Sequence, residues 1–304
     1  MRVAVTGAAG FVGAAVVRRL VAGNAEPVAV VRPGGDVRRL PPDVDVLAAD
    51  LEDPDAAARA IAALRPDVCI HLAAAGAVVA EPDPMRLLRT NTLAALALAR
   101  ALPAGGCRRL VTAGSSSEYG PVEGPVSEAR APLPDDLYGA TKLAGALLAR
   151  AAGLELGLET VHLRLFSVFG PGEDERRLVP SVARALLERR PVELTPGEQV
   201  RDFVFVADAA EALVAAATAP AIGGEILNVG TGRETTVREL CLAIARCTEA
   251  DPSLLRFGAR RYRTGERFSW RADPERAARV LGWRARTSLE AGLALTVEAL
   301  RAGG

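Results

Sequence analysis

A chain of 304 residues, half of them hydrophobic and only 4% aromatic, holds enough apolar material for one large α/β domain, or a domain with a smaller partner, built on Ala, Val and Leu. Lysine plus arginine equals aspartate plus glutamate, at 37 each, so no basic excess points to a nucleic-acid partner. The cysteines (Cys69, Cys107, Cys241, Cys247) form no C-x-x-C pair and no zinc spacing, and His71 and His162 alone leave little for His-based triads, so free thiols, no metal site and a cytoplasmic location are expected.

The N-terminus runs directly into a strand pattern, not a signal peptide, and no charge-free apolar run reaches spanning length, so no membrane partner is expected. "RVAVTG" is a valine-rich strand. "FVGAAVVRRLVAG" has apolar residues at helical spacing and stops at Gly23, and "EPVAVVRPGG" is a second strand closed by Pro and Gly. Strands over 44–50 and 67–76 then flank the helix "PDAAARAIAALR". Residues 91–105 are apolar nearly all round, which predicts a helix packed on the sheet with one face and on a second subunit with the other. Further strands fall at 108–117 and 159–170. This alternation predicts a doubly wound parallel sheet with helices on both faces. Beyond Gly170 the pattern loosens. The helices "RLVPSVARALLERR", "ADAAEALVAAAT" and "TVRELCLAIARCT" alternate with the strands "PVEL" and "EILNVGTG", which predicts a smaller, interleaved lobe.

"VTGAAGFVG" sets Gly7, Gly10 and Gly13 at three-residue spacing between the first strand and helix, with Phe11 and Val12 in the same turn. Glycines permit a tight turn and close backbone approach, and the helix N-terminus attracts a pyrophosphate, so a dinucleotide is expected here. The second strand ends in Arg32, where Asp or Glu would hold a ribose 2′-hydroxyl. Arginine suits a 2′-phosphate, and Arg38 and Arg39 add charge, so NADP(H) is expected over NAD(H). Asp50 and Leu51 follow the third strand, where the carboxylate either meets the adenine or caps the next helix. Ala73, Ala74 and Ala75 end the fourth strand after Leu72, and their small side chains let a cofactor lie against the backbone of Leu72, Ala73 and Ala74.

"LYGATKLAGALLAR" places one of only three tyrosines, Tyr138, four residues before Lys142, in a chain that draws nearly all its positive charge from arginine. That spacing puts both on one helix face. An adjacent ammonium favours the phenolate and is expected to lower a pKa ordinarily about 10. Such a tyrosine passes the proton that accompanies hydride transfer to a carbonyl. Ser115, Ser116 and Ser117 end the preceding strand, where the ligand crevice of a parallel sheet opens, and a hydroxyl there can bond the same carbonyl oxygen.

Together, "TGAAGFVG", "HLAAAG", "GSSSEYG", "YGATK", "LRLFSVFGPG", "VRDFVFVAD", "LNVGTG" and the tail "DPERAARVLGW" resemble the extended short-chain dehydrogenase/reductase family. The likeness is to its nucleotide-sugar epimerases, dehydratases and reductases, and it covers nearly the whole chain. The resemblance implies a Rossmann-type sheet with a smaller C-terminal substrate lobe. The dinucleotide-binding domain would take 1–167 and about 202–229, and the substrate lobe 168–201 and 230–304. Tyr138 would be the acid/base, Lys142 would bind the nicotinamide ribose, and Ser115 would be the catalytic serine, with Ser116 and Ser117 toward the substrate. Asn91 would stand behind the site and Phe166 would line the nicotinamide pocket, with Ser167 replacing a common Asn. Arg201 and Arg263 would hold the diphosphate of a nucleotide sugar. A homodimer through the helices near 91–102 and 138–152 is expected.

Dehydratases of this group carry acids directly after the catalytic residue, where this chain has Ser116 and Ser117, and Glu118 comes one place late. A reductase acting on a nucleotide-linked 4-keto-6-deoxyhexose is therefore expected first, with an NAD-dependent 4-epimerase as the alternative. A non-catalytic regulator would have no use for the intact Ser115, Tyr138 and Lys142.

Overall fold

The computed structural model describes residues 1–77, 81, 83–262 and 269–302. Strands β1 (Arg2–Thr6), β2 (Glu26–Val31), β3 (Asp45–Ala48), β4 (Val68–His71) and β5 (Arg109–Ser115) lead to a short β6 (Pro125–Val126) and β7 (Glu159–Leu165). Helices α1 (Phe11–Ala22), α2 (Pro54–Ala63), α3 (Pro84–Leu87), α4 (Ala94–Ala101) and α5 (Leu137–Leu156) fall between them. Next come β8 (Ser167–Phe169), α6 (Leu178–Leu187), β9 (Val192–Leu194), β10 (Val200–Arg201), β11 (Phe203–Phe205), α7 (Val206–Thr218) and β12 (Ile226–Val229). The chain closes with β13 (Thr235–Thr236), α8 (Val237–Thr248), β14 (Leu255–Phe257), β15 (Ser269–Ala272), α9 (Glu275–Leu281) and α10 (Leu289–Ala302).

Seven strands form one parallel sheet in the order β12-β7-β5-β4-β1-β2-β3, a Rossmann-type arrangement. The inner strands are covered on both faces, which is why β1, β4 and β5 read as continuous apolar runs instead of alternating ones. Helices α1 and α7 pack together on one face, and α2, α4 and α5 cover the other. Strand order reverses between β1 and β4, and a crevice opens beyond the C-terminal ends there.

A core poor in aromatics depends on close backbone approach. A Cβ on Gly145 of α5 would lie 2.2 Å from the Asn91 carbonyl oxygen. The helix expected over 91–105 is three pieces: a π-helical turn (Leu88–Leu93), α4, and a 3-10 turn (Leu102–Gly105). α4 buries Ala94, Ala95, Ala97, Leu98 and Ala99 against α2, α5 and the sheet residues Cys69 and Leu110.

Two strands end earlier than expected, for a reason at each place. β4 stops at His71 because Leu72 and Ala73 turn their N–H groups toward the Thr6 hydroxyl at the end of β1. The strand over 159–170 divides because the Phe166 N–H bonds Val229 while the Ser167 N–H bonds Asp202, so pairing passes from β12 to β11.

Around the sheet's C-terminal edge stands a set of short pairings: β13-β10-β15-β6, β8 with β11, and β9 with β14. Helices α6, α8 and α10 back them. Fully buried Asp202 ties these pieces together. It accepts from the Thr231 N–H (2.7 Å) and hydroxyl (2.6 Å), the Gly232 N–H (2.8 Å) and the Ala272 N–H (3.1 Å). Among the described residues no helix is long and apolar enough to cross a membrane.

Candidate active site

The turn after β1 is shaped by what it lacks. Gly7 has φ of +66°, and a Cβ on it would sit 2.7 Å from the Ala73 nitrogen. A Cβ on Gly13 would lie 2.1 Å from the Gly7 carbonyl oxygen. α1 starts at a Gly10 N-cap with no side-chain cap and no acid in its first turn, so its first N–H groups are left for an anion. Beside this turn lies a cleft of about 540 Å³, lined by Gly7 and Gly10, by Arg32, Asp50 and Leu51, and by Leu72, Ala73 and Ala74. Asp50 accepts from the Glu52 N–H at 2.9 Å, and the α2 N-cap is Asp53. The glycine cradle and the cleft fit a dinucleotide.

Ser115, Tyr138 and Lys142 meet where β5 ends against α5. Asp136 caps α5, its carboxylate accepting from the Gly139 N–H at 2.6 Å. Tyr138 is half-buried in the first turn of α5, and the Ser115 hydroxyl at the end of β5 donates to the Ser117 hydroxyl at 3.2 Å. A Cβ on Gly76 would lie 3.5 Å from Tyr138 Cδ2, so the loop after β4 lies against that ring. The pKa expectation is corrected here. Burial, with the negative charge of Glu118 behind it, pushes the Tyr138 hydroxyl up to about 12, against the pull of Arg177 and Ser115. Lys142 is itself buried, and burial lowers it to about 8, opposed by Glu118.

His71, at the end of β4, is pushed down to about 3 by burial and by the charge of Lys142, so it stays neutral beside the lysine. Its Nδ1 pairs with the Thr6 hydroxyl at 2.7 Å. Asn91 is spent on the scaffold. Its Oδ1 accepts from the Ala75 N–H (2.9 Å), and its Nδ2 donates to the Ala75 carbonyl (3.1 Å) and the Thr141 hydroxyl (3.1 Å). Ser116 and Ser117 are buried in the 3-10 turn Ser116–Tyr119. Phe166 is buried beside Tyr119 and Val126. Arg201 stacks over Trp270 at 5.1 Å and donates to the Val200 carbonyl. Arg263 lies outside the described residues. Arg32 is exposed on the rim, with Arg39 and Arg176 also lining the cleft, while Asp36 is paired with Arg38 at 2.7 Å.

The model of the NAD-dependent epimerase/dehydratase family matches residues 3–230, most of the chain. The chain belongs to that family. With the serine, tyrosine and lysine brought together beside a dinucleotide cleft, it is an NAD(P)-dependent enzyme of the extended short-chain dehydrogenase/reductase type. Among its relatives, UDP-glucose 4-epimerase of Mycolicibacterium smegmatis is 35% identical over 314 residues, covering 99% of each chain. UDP-glucose 4-epimerase of Thermotoga maritima, solved with UDP-glucose, superposes with a TM-score of 0.92 at 30% identity, over 100% of this chain and 99% of that one. MoeE5, solved with UDP-glucuronic acid and NAD, superposes with a TM-score of 0.89 at 35% identity over the whole of both chains.

In this epimerase/dehydratase family member, a buried charged cluster to which the sequence assigned no role surrounds the serine. Glu118 is fully buried and turned inward. Its Oε1 accepts from the Ser115 N–H at 2.9 Å and its Oε2 from Arg164 Nε at 2.8 Å, and His162 Nε2 stands 3.0 and 3.1 Å from the two oxygens. Arg164 in turn stacks over Tyr119 at 4.4 Å, and the Tyr119 hydroxyl donates to Asn228 Oδ1 at 2.7 Å. The available signal was "HLR" in β7, two polar residues on one side of a strand otherwise buried and apolar. A second missed group is Glu173. Its side chain is 6% exposed, Arg177 donates to its Oε1 at 3.3 Å, and its Oε2 is buried without a hydrogen bond. Burial pushes this carboxyl up to about 7, against Arg177.

Proposed function

We propose that this chain epimerises C4 of a nucleotide-diphosphate sugar, with Ser115 and Tyr138 on the C4 oxygen and Lys142 on the nicotinamide ribose. The observation that carries the reading is the placing of Ser115 at the end of β5 against α5, which carries Tyr138 and buried Lys142, with no acid at the two positions after Ser115. Relatives matched over their full length that carry the 4-epimerase name support it.

Gly7, Gly10, Phe11, Val12 and Gly13 would hold the pyrophosphate, Arg32 the ribose, Asp50 and Leu51 the adenine side, and Leu72, Ala73, Ala74 and Phe166 the nicotinamide half, with Asn91 keeping the Ala75 loop in place. The bound dinucleotide supplies a hydride acceptor and donor at C4. Tyr138 takes the C4 hydroxyl proton as its hydride departs and returns the proton when the other face is reduced. Ser115 donates to the same oxygen, where charge develops. The phenol must first lose its own proton from a free-protein value of about 12, so catalysis needs positive charge close to it. Lys142 supplies that charge once its ammonium is drawn to the ribose. Arg201 and Arg263 would hold the diphosphate. The division of 1–167 with about 202–229 from 168–201 and 230–304 is part of this reading, with the sugar between the two.

The reductase reading has one observation in its favour. Arg32, Arg39 and Arg176 gather at the cleft rim, where the 2′-phosphate of NADP(H) would lie. Chromatography of nucleotide released from protein purified without added cofactor separates the two. Near-stoichiometric NAD⁺, with conversion of UDP-glucose or UDP-glucuronic acid to its C4 epimer, is expected. An empty protein that binds NADPH more tightly than NADH and turns over no C4 epimer would replace the epimerase with the reductase. We also propose a homodimer through α5, which exposes Leu147, Leu148, Leu154 and Leu156. Light scattering that gives a monomer at micromolar concentration would remove it.

A further inference from the structure

Glu118 sits directly behind the serine, its carboxylate accepting from the Ser115 N–H. The 3-10 turn after β5 is closed by a reciprocal cap. The Ser115 hydroxyl accepts from the Ser117 N–H at 3.1 Å while the Glu118 carboxylate accepts from the Ser115 N–H at 2.9 Å. The carboxylate therefore fixes the backbone from which the Ser115 hydroxyl projects.

The space for it is made by Gly114, where a Cβ would come within 2.3 Å of both Glu118 Oε1 and His162 Nε2. Its remaining acceptor sites are filled by Arg164 Nε and His162 Nε2. His162 is held at both ends, its Nδ1 paired with the Thr112 hydroxyl at 2.7 Å and its Nε2 with Glu118. A fully buried carboxylate is kept only when paired and hydrogen-bonded, and this one is. Burial works against ionisation here, but His162 and Arg164 outweigh it and hold Glu118 down at about 2.

We propose that Glu118 is a positioning residue, whose buried carboxylate fixes from beneath the backbone that carries Ser115. The proposal rests on the catalytic reading of Ser115, Tyr138 and Lys142. The charges of Glu118 and Lys142 act on each other, as do Lys142 and His71 at the end of β4, and Tyr138 lies one turn before Lys142 on α5. His71 is held neutral, and of these Glu118 is the one that favours the charged lysine. The same charge opposes the Tyr138 phenolate. Glu118 therefore sets both proton-holding groups in the same direction.

Lys142 is the only lysine in the chain, so protein made with isotope-labelled lysine gives one side-chain signal whose pH midpoint is read without turnover, as is amide exchange at Ser115. Failure of this proposal and failure of the epimerase reading are thus separate results. In E118Q the amide oxygen still accepts from Ser115 but the charge is gone. The Lys142 midpoint is expected to fall by about 0.5 unit or more, with Ser115 amide exchange unchanged. Glu118→Met combined with Arg164→Met removes both charges and leaves no unpaired ion, so it serves if E118Q does not fold. There the midpoint falls as well, the Ser115 amide exchanges about tenfold faster or more, and kcat drops further than in E118Q with KM held within about threefold. An unchanged Ser115 amide in the folded double variant overturns the proposal.

Discussion

Gly13 stands so close to Gly7 that a Cβ on it would lie 2.1 Å from the Gly7 carbonyl oxygen. Neither backbone can yield, because Gly7 is itself wedged against Ala73. Gly13→Ala is expected to open the turn, with a stability loss of about 2 kcal/mol and a nucleotide affinity at least about tenfold weaker. Calorimetric titration with NAD⁺ and NADP⁺, beside a thermal melt, checks both.

Tyr138→Phe keeps the ring packed against Gly76 and removes only the hydroxyl. Turnover is expected to fall by about 10²–10⁴-fold with nucleotide binding unchanged. Equal turnover in the variant would mean that the proton is carried elsewhere.

Glu173 gives a pH signature in stability. Its carboxyl is raised from an ordinary 4.5 to about 7 in the folded chain. Between those values the folded state holds a proton that the unfolded chain has released. This contribution is complete below about 4.5 and is lost as pH rises through about 7. The loss is on the order of 3 kcal/mol. Denaturant titrations of wild type and Glu173→Gln from pH 4 to 8 are expected to diverge across that window and run parallel above it.

Arg32 decides the cofactor if the arginine cluster is a phosphate site. Arg32→Asp is then expected to shift the NADP-to-NAD affinity ratio by about tenfold or more toward NAD. An unchanged ratio would leave Arg32 as a solvated surface charge.

The parts of this molecule that could be read from sequence are those encoded by neighbours along the chain. The β1–glycine–α1 unit and the Tyr138/Lys142 pair are local patterns, and the structure brings Ser115 to them because β5 ends in the crevice. What escaped was set by distance. Glu118 looks like one more polar residue of a serine-rich loop until β7 lies beside β5, with Thr112 opposite His162 and Gly114 opposite Arg164. The sign of the tyrosine shift escaped for a related reason. Helical spacing names the neighbour, but burial, which spacing does not report, dominates the phenol. The pairings of β6, β10, β13 and β15 span only a few residues each, too short to show any period.

The solitary lysine has a practical meaning outside catalysis. A protease that cuts only after lysine has one address in these 304 residues, and it is buried in the middle of the proposed site. Cleavage into fragments 1–142 and 143–304 would require α5 to leave the sheet, so the cutting rate is a clock for how often the folded enzyme opens at its centre. Ligands that close the crevice should slow that clock.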